Sequence, residues 1–268
     1  MPATKEQTDE HPIIFNSWSI CRILAGEKTQ TRRIVKPQPP HELGNALDRT
    51  PRYCDETTTG YLKNGPGWYW MAQTAIDEGK WRPVGGSAGC PYGQPSDVLW
   101  VREAFRLPHD DLTPKEYAYE TPQEDFVVYY EADDTINGAS AGGGVLDDGD
   151  GGWSTVKDRF GRKRPPIHMP KELCRLCLRL RVEDVRVERV QEITPQEVIA
   201  EGIYEDELRQ MYSERGRSLS GAKTGISGES ISAAMWKRGF KWLWSDIHGD
   251  GAWGENPWVW VVTFSRTE

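Results

Sequence analysis

Strand-forming runs dominate this chain, and they do not alternate with helices. Residues 13–15, 28–35, 97–103, 126–131, 176–182 and 258–264 are short and rich in β-formers. Helical periodicity is confined to a few stretches. Asn16 suits the cap of a short helix ending near Ala25, and Gly26 stops it. Thr194-Pro195-Gln196-Glu197 is a capping box with proline at the first helical position, and its helix runs to Glu201 before Gly202. Residues 205–215 and 231–247 give two more helices. Trp236, Phe240, Leu243 and Trp244 lie near helical spacing in the second. Without β-α-β alternation, the expected class is α+β, built on a small, mostly antiparallel barrel.

Between these elements the pattern changes. Residues from about 37 to 95 show no sustained period, yet hold Trp68, Tyr69, Trp70 and Trp81. A loop of that length implies an inserted excursion. Residues 133–152 are rich in Gly and Asp and read as a flexible loop. Leu176, Leu178, Leu180 and Val182 alternate with polar residues as a half-buried strand; Val185, Val187 and Val190 continue it after a kink. Residues 1–10 read as a disordered start. Residues 11–268 read as one domain with insertions at about 37–95 and 133–170.

Composition narrows the function classes. No apolar run approaches the ~20 residues of a membrane span. The opening MPATKEQTDEHP is too polar for a signal or transit peptide, so a cytoplasmic protein is expected. Five cysteines, an odd number spread over 268 residues, argue against a disulfide framework. The net charge of −8 is unevenly placed. Residues 110–150 carry twelve acids against one base, whereas 22–36 and 157–189 are basic. Those two stretches suit an anion-binding face, or simply solvated strand faces.

Three constellations can carry chemistry. Residues 26–33, GEKTQTRR, bring a helix-ending glycine into a strand with Lys28, Thr29, Thr31, Arg32 and Arg33. On an extended strand Thr29, Thr31 and Arg33 share one face, and Gln30 and Arg32 the other. A hydroxyl, an amine and a guanidinium together bind a phosphate or carbonyl oxygen, or activate the hydroxyl. An exposed cationic strand start is the plainer reading. Glu201 is the second candidate. A carboxylate in the last helical turn opposes the helix dipole, so stability alone does not call for it there. Trp100-Val101-Arg102-Glu103 is the third. Trp100 and Arg102 share a face suited to stacking on and binding a base, or form a core tryptophan beside a structural ion pair; Val101 and Glu103 lie on the other face. Cys174-x-x-Cys177 resembles half of a metal site, but the run reads as a strand, where residues three apart face opposite sides. With Cys90 and His168 isolated, neither a metal nor another cofactor is expected.

Residues 23–33, ILAGEKTQTRR, resemble the GxKxxTxR signature of the ASCH family. Residues 97–103 are similar to that family's Gly-Asp-led strand, with Ser96 where the family usually has glycine. EVIAEG at 197–202 resembles its Glu-Gly helix end, and 257–264 its last strand. The long form, with CPYG at 90–93, His168-Met169-Pro170 and a Trp-rich C-terminus, is similar to phage and prophage members. The resemblance implies a PUA-like β-barrel whose cleft binds RNA, a nucleotide or a modified nucleoside. Some small members are amidohydrolases of N4-acetylcytidine that use a lysine, a threonine and a glutamate, which map to Lys28, Thr31 and Glu201. Other members are ribonucleases or plain RNA-binding modules. For a non-catalytic reader, Arg32, Arg33, Arg102 and the basic run at 157–164 hold phosphates while Trp100 stacks a base. A protein-binding phage accessory role also stands open.

Overall fold

The computed structural model describes residues 8–36, 38, 90–108, 111–121, 127–136, 160–216 and 231–267, together with the backbone of strands at 51–54, 67–73, 81–83, 139–140, 145–147 and 153–155. Chain order begins with β1 (Glu10–Ile14), α1 (Ser17–Leu24), β2 (Gln30–Ile34), β3 (Pro51–Cys54), β4 (Gly67–Gln73), β5 (Trp81–Pro83), β6 (Val98–Arg102) and β7 (Phe105–Arg106). It continues with α2 (Pro114–Glu120), β8 (Tyr129–Tyr130), β9 (Thr135–Ile136), β10 (Ala139–Ser140), β11 (Val145–Asp147) and β12 (Trp153–Thr155). It ends with β13 (Arg179–Arg189), α3 (Pro195–Ala200), α4 (Glu205–Glu214), α5 (Ala233–His248) and β14 (Trp258–Arg266).

The architecture is mixed α/β. Its main sheet has five strands in the order β1-β6-β13-β14-β2. β1 and β2 are its edges, so the sheet is open where a closed barrel was expected. It is also mixed, because β1 pairs in parallel with β6 while β13 pairs antiparallel with it. Smaller antiparallel sheets are β10-β9-β8-β7, β3-β4-β5 and the hairpin β11-β12. They place β3, β4 and β5 within the stretch at 37–95 and β9, β10 and β11 within the loop expected at 133–152; the undescribed residues of both stretches are not assigned. Short strands paired only to each other leave no long periodic run in the sequence. Of the disordered start expected at 1–10, residues 1–7 lie outside the described residues, as do 217–230, and Glu10 already belongs to β1.

The chain divides into two compact units. One comprises Met1–Thr29, Tyr92–Glu183 and Thr263–Glu268; the other comprises Gln30–Pro91 and Asp184–Val262. In the first unit Phe105, Leu107, Tyr117, Val128, Tyr130, Met169 and Leu173 form a core cluster. α1 begins as its sequence demands, with the Asn16 side chain accepting from Ser19 N at 2.9 Å. It buries Ile20 and Ile23, and Gly26 follows at φ +76°. In the second unit α3 and α4 pack on α5, burying Val198, Leu208, Trp236, Phe240 and Trp244. Gly239 makes this approach close, because a Cβ there would run into the Leu208 side chain.

One strand reading needs correction. Residues Leu176–Leu178 form a 3₁₀ turn, closed by Leu178 N donating to Arg175 O at 3.0 Å, and Leu176 is exposed. β13 then runs unbroken from Arg179 to Arg189, without the expected kink. Among the described residues no helix is long and apolar enough to cross a membrane.

Candidate functional site

The polar side chains of the GEKTQTRR run turn inward. Lys28 is 5%, Thr31 4% and Arg32 5% exposed, and Gln30 is buried with them. β2 starts only at Gln30, so Thr29 precedes the alternation and is exposed instead of sharing the Thr31 environment. Arg33 is half-buried.

In the second unit Arg32 is the centre of a carboxylate cluster. Its Nη1 donates to Gln30 Oε1 at 2.9 Å, two residues away on the same strand face. Its Nη2 pairs with Glu188 of β13 and, at 3.1 Å, with Glu197 in the first turn of α3. Nη1 also lies 3.4 Å from Glu201 Oε1. The Phe240 ring lies 5.8 Å from the guanidinium carbon. Arg186 pairs with Glu188 and Glu197 from the β13 side. Burial depresses its guanidinium, but these carboxylates outweigh that and hold it above its ordinary value. Burial likewise pushes the Glu197 carboxyl up, but the Thr194 cap bonds, Arg32 and Arg186 outweigh it and hold it low.

Glu201 caps the C-terminal end of α3 and is 4% exposed. The oddity noted in the sequence, a carboxylate against the helix dipole, thus has a partner in Arg32. Thr31, Arg32 and Glu201 all belong to this unit, whereas Lys28 belongs to the other. There its Nζ lies 5.9 Å from the Phe15 ring centroid.

The first unit holds the third constellation. Trp100 is buried with the Arg102 guanidinium carbon 4.6 Å from its ring centroid, so the two do share a face. Glu103 is fully buried and accepts from Arg175 Nε at 2.8 Å and Nη2 at 2.6 Å. Arg175 Nη1 donates to Asp133 Oδ2 at 2.7 Å and lies 3.2 Å from Thr135 Oγ1. Tyr130 stacks under the same guanidinium at 4.4 Å. Two anions therefore share one cation. Burial pushes the Glu103 carboxyl up to about 7 against the pull of Arg175. Arg175 is itself depressed by burial, but Glu103 and Asp133 more than restore it.

Cys177 lies within the 3₁₀ turn and Cys174 just before it, so neither is on a strand. Burial pushes the Cys174 thiol up to about 12, far from the thiolate that binds metal. Cys90 is half-buried and His168 exposed. Among the described residues no group of three or more His, Cys, Asp and Glu is placed to hold a metal ion.

Two features escaped the sequence reading. The Asp97 carboxylate accepts from Asp9 N at 3.2 Å and Gln94 N at 2.9 Å, and lies 3.3 Å from His11 Nε2. The second is a cavity of about 350 Å³ in the second unit, lined by Ala234, Lys237, Arg238, Lys241, Trp242 and Trp253. Its first four residues have the spacing i, i+3, i+4, i+7, a legible helix stripe masked by the stronger apolar stripe of the same helix. Comparison of the chain with protein-family models, with curated proteins and with solved structures finds no match.

Proposed function

We propose that this chain binds a nucleoside, nucleotide or RNA through an ASCH-like site on a PUA-like fold, and that it hydrolyses N4-acylated cytidine-type substrates there. The observation that carries this reading is the burial of all three signature residues: Lys28, Thr31 and Glu201 are each only 4–5% exposed. Buried polar groups cost stability unless they are paired or used. Arg32 supports the reading from within the motif, since it contacts the Glu201 carboxylate. Arg32 is then a positioning residue for Glu201.

In the proposed reaction the Thr31 hydroxyl oxygen bonds to the acyl carbon. Its proton passes to Glu201, because a carboxylate accepts a proton without first losing one, as a lysinium must. The Lys28 ammonium is assigned to the oxyanion. The C–N bond then breaks, the cytidine amine leaves with the proton from Glu201, and water releases the acyl group from Thr31.

The test is incubation of the purified chain with N4-acetylcytidine and other acylated nucleosides, followed by chromatography. Wild-type turnover is expected, with losses of about 100-fold or more in Thr31→Ala, Lys28→Ala and Glu201→Gln. Full activity in Thr31→Ala removes the nucleophile. No wild-type turnover on any acylated nucleoside rejects the hydrolase and leaves a binding module or ribonuclease, with RNA the next ligand.

A further inference from the structure

We infer that the outer face of α5 is a second site, which binds a phosphate-bearing single strand of nucleic acid. Its lining shares no residue with the Thr31–Glu201 region, and it does not rest on the hydrolase reading. Three observations carry it.

The first is charge. Lys237, Arg238 and Lys241 occupy one stripe of the helix, all exposed and without an ion-pair partner among the described residues. This stripe stands on a chain with a net charge of −8. Unneutralised cations on an acidic protein concentrate an anionic ligand at one place. His248 stands seven residues beyond Lys241, in the last turn of α5. Burial depresses the His248 imidazole, and the nearby positive charges of Arg33 and Lys36 depress it further. Cations therefore gather at that end of the helix as well.

The second is the pairing of these cations with indoles. Trp242 and Trp253 line the same cavity and are half-buried. Trp242 is braced by Tyr212, edge-on at 4.7 Å between centroids, and by the Arg215 guanidinium carbon at 4.8 Å. Trp253 packs edge-on to Phe240 at 6.2 Å. Fixed aromatic rings beside cations are what single strands use, with bases on the rings and phosphates on the cations.

The third is shape. At about 350 Å³ the cavity falls within the range of small-ligand sites and suits one nucleotide unit, while its open stripe lets a strand continue. A membrane surface fits less well. The apolar face of α5, with Trp236, Phe240 and Trp244, is already buried in the protein and has nothing left to insert into lipid.

The test is fluorescence anisotropy of the full chain with labelled 12-nucleotide single-stranded RNA, the same sequence as DNA, and a duplex. Mononucleotide and vesicles containing phosphatidylserine serve as competitors. Binding of single-stranded RNA or DNA is expected, with RNA-over-DNA preference identifying the natural strand. The affinity should fall with salt with a log–log slope of about −2, as three phosphate contacts on a single strand require. Lys237→Glu/Lys241→Glu should lose at least tenfold in affinity and flatten that slope. Lys115→Glu, an exposed lysine on α2 of the other unit, should stay within twofold of wild type. No strand binding, equal affinity for duplex, indifference to the double reversal, or displacement by vesicles would each overturn the site. Loss of acyl-nucleoside turnover in the Thr31 variant bears on the other region only.

Discussion

Ser96 shows how one backbone angle can explain a sequence irregularity. Its φ is +83°, in the region where a Cβ is strained and glycine is free. The resemblance noted for residues 97–103 places glycine at this position. The chain keeps serine there and carries the cost locally, in the turn that leads into β6. Ser96 N also donates to Val182 O at 2.9 Å, which ties the turn to β13. Ser96→Gly should therefore stabilise the fold by about 1 kcal/mol, read as a higher urea midpoint. A lower midpoint would show that the serine hydroxyl, and not its backbone strain, dominates. Arg32 makes the opposite point. The sequence assigns it a phosphate contact, yet its side chain is 1% exposed and its guanidinium is engaged by Glu188, Glu197 and Glu201. No pattern within 26–33 tells that its partners come from β13 and α3, more than 150 residues away in sequence.

At the scale of elements, α3 is fixed by its own four first residues. Thr194 accepts from Glu197 N at 3.3 Å, and Glu197 returns the bond to Thr194 N at 2.8 Å. The box also positions Glu197 for Arg32 and sets the helix end that carries Glu201. Thr194→Ala should cost about 1 kcal/mol in unfolding free energy. An unchanged urea midpoint would mean that tertiary packing alone holds the helix. Such local devices are what the sequence makes legible. The Asn16 cap, the Gly26 stop, the capping box and the aromatic stripe of α5 each lie within a few residues of their partners. What was not legible depends on distant pairing. The parallel pairing of β1 with β6 and the short hairpins after β8 have no local signature. At 176–178 the alternation of apolar residues continues that of β13, and only the 3₁₀ turn at Arg175 separates the two. The cations of α5 were overlooked because the apolar residues of the same helix give the clearer period. Of the candidate site, the capped helix end before Gly202 is legible, whereas the burial of Lys28, Thr31 and Glu201 is not, because a polar run reads locally as an exposed strand start. The contact of Arg32 with Glu201 appears only in three dimensions.

Across the whole molecule, buried and capped carboxylates set opposite limits on stability with pH. The ordinary value for a glutamate is 4.5, and Glu103 is pushed by burial to about 7 in the folded chain. Folding thus favours its protonated form. Its contribution is complete below pH 4.5 and is lost as pH rises through 7. Glu197 and Glu116 lie on the other side. Burial opposes the Glu197 shift, but its cap bonds and arginines win, and Glu116 is lowered by its bonds to Thr113. Their contributions are present above pH 4.5 and are lost as pH falls through their folded values. The fold should therefore be most stable near pH 4.5 and lose stability from there as pH rises to about 7. Urea unfolding from pH 4 to 9 measures this directly. Glu103→Gln keeps one accepting oxygen for Arg175 but cannot ionise. It should remove the alkaline decline, a difference on the order of 2 kcal/mol between pH 5 and 8, and leave the acid decline in place. Equal alkaline slopes in wild type and variant would show that Arg175 holds Glu103 ionised throughout, against both burial and Asp133. The pair would then be an ordinary buried ion pair, and the alkaline limit of this fold would have to come from another group.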